Sequence, residues 1–288
     1  MDGVSGAKLR GSLVCHCLLV ETAKTLALVD TGYGLRDVAA PRSRLNPVFL
    51  ALMQPDLREE MTAVRQIAAL GFNPSDVRHV VLTHLDFDHA GGLDDFPEAE
   101  VHLLAREHAA AKRRRTMLDR MRYRPQQWST EPNWRTYEPN RGDTWLGFEG
   151  VQSVPGLTDE VLLVPLHGHT LGHAGVAVRR ERDWLLQAGD AYFYRSELDV
   201  EPYCTPGLRA YQTLMEKDRA ARLQNQRRLR DLKQQHAGEV SITCAHDLVE
   251  FERLTARSHR VPASAADVSE QETSPTALHP GTGTAMLG

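Results

Sequence analysis

The sequence predicts an α/β protein, and three observations carry that expectation. Apolar runs of strand length recur along the chain. Segments with a 3.6-residue apolar period lie between them, and one strand after another ends in a histidine or an aspartate. The 288 residues allow one large core or two small domains, with hydrophobic and charged fractions ordinary for a globular enzyme.

Leu13 to Glu21 and Leu26 to Asp30 read as two short strands joined by a turn at Thr22-Ala23-Lys24. The second leaves through the Gly-rich exit Asp30-Thr31-Gly32-Tyr33-Gly34. Arg42 to Asp56 is proline-bounded and reads as irregular; its apolar cluster Val48, Phe49, Leu50, Leu52 and Met53 suits a lid or a homodimer contact. Leu57 to Leu70 places Met61, Val64, Ile67, Ala68 and Leu70 near a helical period, closed by Gly71. Val80-Val81-Leu82 and Ala99 to Leu104 read as strands, and Arg106 to Arg122 as one helix whose basic run, Lys112 to Arg115, is a solvated face. Tyr123 to Phe148 reads as an irregular aromatic segment. Its Trp128, Trp134, Tyr137, Trp145 and Phe148 either line a substrate pocket or pack against the body. Val161 to Pro165, Val176 to Val178 and Trp184 to Ala188 read as strands, Leu208 to Gln235 as one long polar helix, and Val240 to Cys244 as the last strand. A single folded domain is expected over 1–262, with a disordered tail rich in Ser, Thr, Pro and Gly over 263–288.

The densest chemistry is Thr83-His84-Leu85-Asp86-Phe87-Asp88-His89-Ala90-Gly91-Gly92. A strand that ends in such a loop aims several imidazoles and carboxylates at one point, which is what a Lewis-acidic divalent metal requires. The bland alternative, a turn in which Asp binds backbone N–H groups, explains one aspartate but not two of each residue type at this density. The same pattern returns at Asp30, His169, Asp190 and His246.

A formal charge of −4 gives no reason to expect nucleic acid or an acidic membrane as partner. The cysteines (Cys15, Cys17, Cys204 and Cys244) are too few and scattered for a disulfide framework; Cys15-His16-Cys17 could suggest metal, but in an alternating strand the two cysteines share a face opposite His16 and read as buried reduced thiols. Met1 to Gly11 shows no signal-peptide pattern and no segment has the length to cross a bilayer, so a cytoplasmic protein is expected.

Taken in order, His84-Leu85-Asp86-Phe87-Asp88-His89, His169-Thr170-Leu171-Gly172-His173, Gly189-Asp190 and His246 resemble the ligand motifs of metallo-β-lactamase-superfamily hydrolases, over roughly Leu13 to Asp247. The Asp-His-Ala-Gly-Gly turn is most similar to the lactonase and glyoxalase II-like branch. This resemblance implies a four-layer αβ/βα sandwich with a binuclear site at one edge. Carried over, His84, Asp86 and His169 would hold one metal, and Asp88, His89 and His246 the other, with Asp190 bridging. Asp30 would orient ligands, and His173 would support its loop.

The family places a histidine where this chain has Asp86. A carboxylate oxygen reaches as far from Cβ as the imidazole Nδ1 it replaces, but it adds negative charge. That lowers the metal's Lewis acidity and favours harder ions, so the expected pair of divalent ions is zinc first, with manganese or ferrous iron as alternatives; the other reading is that Asp86 ligates poorly and only the Asp88, His89 and His246 side binds tightly.

The chemistry implied is attack on a lactone, ester or thioester carbonyl of a small molecule, with Asp190 or Asp88 shuttling the proton. Tyr192 or Tyr194 either donates a hydrogen bond to substrate or packs in the core. A binuclear phosphodiesterase or nuclease is one alternative, but the RNA-binding insertion of that branch is not seen. A di-iron oxidoreductase-like protein would need a flavin domain that nothing after His246 supplies. A non-catalytic small-molecule-binding member is disfavoured by the nearly complete ligand set.

Overall fold

The computed structural model describes residues 11–22, 24–138, 142–157, 160–258 and 283–287. The first sheet begins with the antiparallel pair β1 (Cys17–Glu21) and β2 (Leu26–Val29). Strands β3 (Val77–Val81), β4 (Glu100–Leu104) and β5 (Asn133–Tyr137) then add in parallel. Parallel neighbours need crossovers. Between β2 and β3 these are α1 (Leu35–Ala39), α2 (Pro41–Arg44), α3 (Pro47–Met53) and α4 (Ala63–Ala69). Between β4 and β5 they are α5 (Ala105–Arg113) and α6 (Met117–Arg122).

The second sheet runs antiparallel through β6 (Asp143–Trp145), β7 (Phe148–Ser153), β8 (Val161–Pro165), β9 (Ala174–Arg179) and β10 (Trp184–Gln187). Helices α7 (Pro206–Met215) and α8 (Arg219–Gln235) then lead to β11 (Val240–Thr243), parallel to β10, and α9 (Leu248–Ser258) follows. No helix among the described residues is long and apolar enough to cross a membrane.

Alternation along the strands builds the layers. Leu18 and Val20 of β1 join Val161, Leu163, Val176 and Val178 in the core between the sheets. Cys17 and Leu19, on the opposite face, pack with Ile67 of α4 and Ala111 of α5. On the far side of the second sheet, Val164, Ala177 and Leu186 bury Leu229 and Leu232 of α8. Each fully buried Leu or Val contributes roughly 1.5–3 kcal/mol. The result is helix, sheet, sheet, helix: the expected four-layer sandwich.

Four sequence expectations change. The supposedly irregular 42–56 contains α2 and α3, and Asn46 caps the latter by accepting from the Val48 and Phe49 N–H groups. The single helix over 106–122 breaks at Arg114, which is left-handed (φ 38°), and restarts at a Thr116–Asp119 capping box. The helix over 208–235 breaks at Glu216–Asp218, where the Lys217 and Asp218 N–H groups both bond to the Gly168 carbonyl. The aromatic segment forms the sheet-edge strands β5 and β6.

Of the expected tail, 263–282 and 288 lie outside the described residues. Strand β12 (Gly283–Leu287) pairs antiparallel with β1, where no strand was expected, and covers an edge that would otherwise expose unpaired backbone groups.

Candidate metal centre

The strand ends of both sheets converge at one edge, and the histidines and aspartates singled out above meet there. Three groups of potential donors form: His84, Asp86 and His169; His84, His89 and Asp190; and Cys15, Asp88 and His246. Asp190 stands between two halves. Its Oδ2 is 3.3 Å from His169 Nε2 and 3.7 Å from His84 Nε2, and its Oδ1 is 3.0 Å from His246 Nε2 and 3.3 Å from His89 Nε2.

Hydrogen bonds on the outer nitrogens fix which ring atoms face inward. The Thr83 hydroxyl gives its proton to Asp30 (2.8 Å), so the His84 Nδ1–H donates to Thr83 Oγ1 (2.9 Å). His89 Nδ1 is 2.9 Å from Asp30 Oδ2, and His246 Nδ1 donates to the Val14 carbonyl at 2.6 Å. In all three rings Nε2 is left facing inward, as second partners of metal-binding histidines arrange. Buried His84 Nε2, His89 Nε2, Asp86 Oδ1 and Asp190 Oδ1 have no hydrogen-bond partner. Buried polar atoms are rarely left so.

The spacing fits a metal. In the His84 half, Asp86 Oδ2 is 3.1 Å from His169 Nε2 and 3.5 Å from His84 Nε2. Tetrahedral ligands at about 2.0–2.2 Å from an ion are separated by roughly 3.3–3.6 Å. In the other half His246 Nε2 is 3.8 Å from Asp88 Oδ2.

Sequence reasoning missed Arg122. Read there only as the last residue of a helix, it is 0 % exposed and inserts beside the centre. Its Nε lies 3.1 Å from Asp86 Oδ1, an ion contact that lacks hydrogen-bond alignment. Its two terminal nitrogens donate to the His169 carbonyl (3.0 Å) and to His169 Nε2 (3.2 Å). The signal available was an unmatched carboxylate at 86, which a buried site must balance with a cation.

Two glutamates, Glu107 buried and Glu250 partly buried, fasten the loops. Glu107 accepts from Leu85 N (3.0 Å), Thr170 Oγ1 (2.6 Å) and Gly172 N (3.1 Å), tying the His84 loop to the His169 loop. A Cβ at Gly172 would come within 2.1 Å of the Glu107 backbone nitrogen, so glycine is required there. On the other side Glu250 accepts from Cys244 N (2.9 Å) and the Tyr192 hydroxyl (3.0 Å), holding the strand exit that carries His246. His173 accepts from Asp190 N (2.9 Å) through Nε2 and donates to the Leu166 carbonyl (3.0 Å), so it positions the Asp190 turn.

Electrostatics follow the packing. Burial pushes Asp86 up, but Arg122 and then His84 outweigh it and hold the carboxyl well below its usual range. Burial also opposes ionisation of Asp190, and His246, His89 and His169 overcome it. His169 is pushed down to about 4 by burial, with Arg122 adding to the effect against Asp190.

A cavity of about 610 Å³ opens on the His246 half. Leu13, Phe49, Leu52, Met53, Met61 and Leu208 give it an apolar wall, and Asp88 and His246 lie at its polar end. The aromatic segment does not line it: Trp128 and Trp134 pack on the first sheet's core and Trp145 on the second's. The proposed substrate contacts Tyr192 and Tyr194 are also absent from it. Tyr192 is buried in the second sheet's core and spends its hydroxyl on Glu250, while Tyr194 packs with Cys204 and Leu208 and lies under the Arg195 guanidinium. Phe193, between them, faces the centre and stacks on His246 (5.0 Å, 23°). The phenols in the cavity wall are Tyr33 and Tyr211. Cys15, expected to be buried, is half-buried there, its Sγ 3.7 Å from Asp88 Oδ2.

Residues 10–233 match the model of the metallo-beta-lactamase superfamily. The chain is 41% identical over 247 residues to a protein of Mycobacterium tuberculosis named probable metallo-hydrolase, covering 85% of this chain and 79% of that one. It is 29% identical over 193 residues to the N-acyl homoserine lactonase of Bacillus cereus, covering 66% and 68%. Among solved structures, an N-acyl homoserine lactone hydrolase with N-hexanoyl-L-homoserine at its metal centre superposes with a TM-score of 0.62 at 23% identity. That match covers 86% of this chain and 88% of the other, and it supports the fold.

Proposed function

Since the chain belongs to the metallo-beta-lactamase superfamily, we propose that it is a dimetal hydrolase that opens a lactone, ester or thioester with an apolar acyl group. One observation carries the reading: inward-facing nitrogen and oxygen donors stand at the polar end of an otherwise apolar cavity. Divalent ions held by His84, Asp86, His169, Asp88, His89, His246 and Asp190 would activate water near neutral pH and polarise the carbonyl oxygen. Zinc heads the candidates, with manganese and ferrous iron next because of Asp86.

The chain's own groups supply the rest. The aliphatic wall of Leu13, Leu52, Met53 and Leu208 takes the acyl chain, which places the carbonyl beside Asp88 and His246. Asp190 reaches both halves, so its carboxylate is placed to accept the proton of the attacking water and return it to the leaving oxygen; Asp88 is the alternative carrier. Burial, then Asp88 beside them, pushes the Tyr211 phenol well above its usual range, and burial with Cys15 and Asp88 does the same for Tyr33. Both stay protonated and can donate to the substrate oxygen. Phe193 keeps water from the far side of His246. The N-acyl homoserine lactonases among the relatives support a lactone as the first substrate to try, and the proposed partner is a small molecule, without nucleic acid or membrane.

The test is hydrolysis by the full chain after chelation and reloading with zinc, manganese or ferrous iron. Homoserine lactones of increasing acyl length, aryl esters, a thioester and a phosphodiester are compared. Metal-dependent acyl hydrolysis, fastest with an apolar acyl chain, is expected. Hydrolysis of the phosphodiester alone, or of nothing, would contradict the proposal.

A further inference from the structure

We propose that Arg122 acts as an internal cation that makes the two halves of the centre unequal. By competing for His169 and Asp86, it weakens metal uptake in the His84 half, so the half with His89, Asp88 and His246 fills first. The inference rests on the metal-centre reading above and deepens it.

Three observations support it. First, an arginine carries only donors, so the 3.2 Å contact from its terminal nitrogen to His169 Nε2 engages the lone pair that a metal would need. Second, the guanidinium stands directly against the carboxylate: Asp86 Oδ1 faces Arg122 Nε at 3.1 Å, while Oδ2 lies 3.1 Å from His169 Nε2 and 3.5 Å from His84 Nε2. Third, the charges differ. Asp190 serves both halves; beyond it, the His84 half adds one carboxylate and one guanidinium, which cancel. The other half adds Asp88, for which no Lys or Arg ion pair exists among the described residues. A dication entering the His84 half meets a fixed positive charge at close range in a buried site, where Coulomb repulsion is poorly screened.

Arg122 is also fixed in place. It is the last residue of α6, whose start is held by the Thr116–Asp119 capping box, and Asp119 is paired with Lys217 at 2.7 Å. Its remaining terminal nitrogen bonds to the His169 carbonyl, so the fork grips the ligand residue by both backbone and ring. Arg122 is therefore a positioning residue whose charge offsets the aspartate standing where the superfamily motif has a histidine.

The experiment is zinc titration of the chelator-stripped full chain, read by calorimetry and by elemental analysis after gel filtration. Wild type should bind one equivalent tightly and a second at least about tenfold more weakly, the size of effect expected from groups that orient metal ligands. Arg122→Met should tighten the second step by a similar factor. Should that variant fail to fold, Asp86→His combined with Arg122→Met, which removes both charges, should bind two equivalents with nearly equal affinity. Two equally tight equivalents in wild type, or an unchanged or weakened second step in the folded variants, would overturn the role of Arg122 alone. No zinc bound by any form would overturn the metal-centre reading and this proposal with it.

Discussion

Around Asp190 the His84 side of the centre is closed and charge-balanced, whereas the His246 side opens on the cavity with an uncompensated carboxylate. The closed side has Arg122 at 0 % exposure and Glu107 clamping two ligand loops together. The open side has Asp88 and His246 in the cavity wall, backed by Cys15 and by Glu250. The contrast shows that a carboxylate in place of an imidazole is not an isolated change. It is accompanied by a cation from α6, a separate element, and that cation bears on what the neighbouring histidine can bind. One half is held by buried clamps, and the other opens on the cavity where the proposed substrate would enter.

Breaking the bridge should do most harm. Asp190→Ala touches both halves, so hydrolysis should fall by about 10²–10³-fold, the range seen when a key electrostatic group is lost, with most bound metal gone. A metal-replete, active variant would refute the shared role.

Next comes the ion pair on the closed side. Asp86→His alone strands the buried guanidinium, and denaturant unfolding of the metal-free protein should show a loss of about 3–5 kcal/mol. Adding Arg122→Met should recover most of it. A single variant as stable as wild type would mean that the pair does not hold this side together.

On the open side, burial pushes the Glu250 carboxyl from 4.5 up to about 7. Below pH 4.5 both folded and unfolded chains carry this proton; between 4.5 and about 7 only the folded chain does. Its contribution to stability is therefore complete at low pH and is lost as pH rises towards 7, on the order of 3 kcal/mol in all. Glu250→Gln should flatten that part of the stability–pH curve, measured with chelator present. An unchanged slope would place the titration elsewhere.

The smallest effect separates cavity from packing. Phe49→Ala should raise KM for long-acyl substrates by about tenfold with kcat little changed, as expected from one apolar contact. Trp134→Ala, packed against the core rather than in the cavity wall, should lower stability and leave KM alone. The reverse pattern would return the aromatic segment to the substrate site.

The candidate ligands were legible because their chemistry is local. His84 to His89 sit on one strand exit, and Asp190 and His246 each follow an apolar run that could only be a strand. Arg122 was not, because nothing near it in the chain distinguishes it from the solvated arginines of the same segment; its meaning lies in Asp86, on a different element. Tyr192 and Tyr194 misled because which face of an exit points inward depends on the turn at Asp190, and the turn gives that place to Phe193. That turn needs the left-handed Gly189 (φ 52°), where a Cβ would come within 2.6 Å of His173 Nε2. The helix break at Arg114 was partly visible, since Thr116 with Asp119 is a capping pattern, but a basic run of good helix formers hid it.

The most direct test of this comparison is anomalous diffraction at the zinc edge from crystals of the full chain loaded with one equivalent of zinc. One strong peak is expected among Asp88, His89, His246 and Asp190, with little density beside His84, Asp86 and His169. Equal peaks, or a peak beside Arg122 alone, would contradict it.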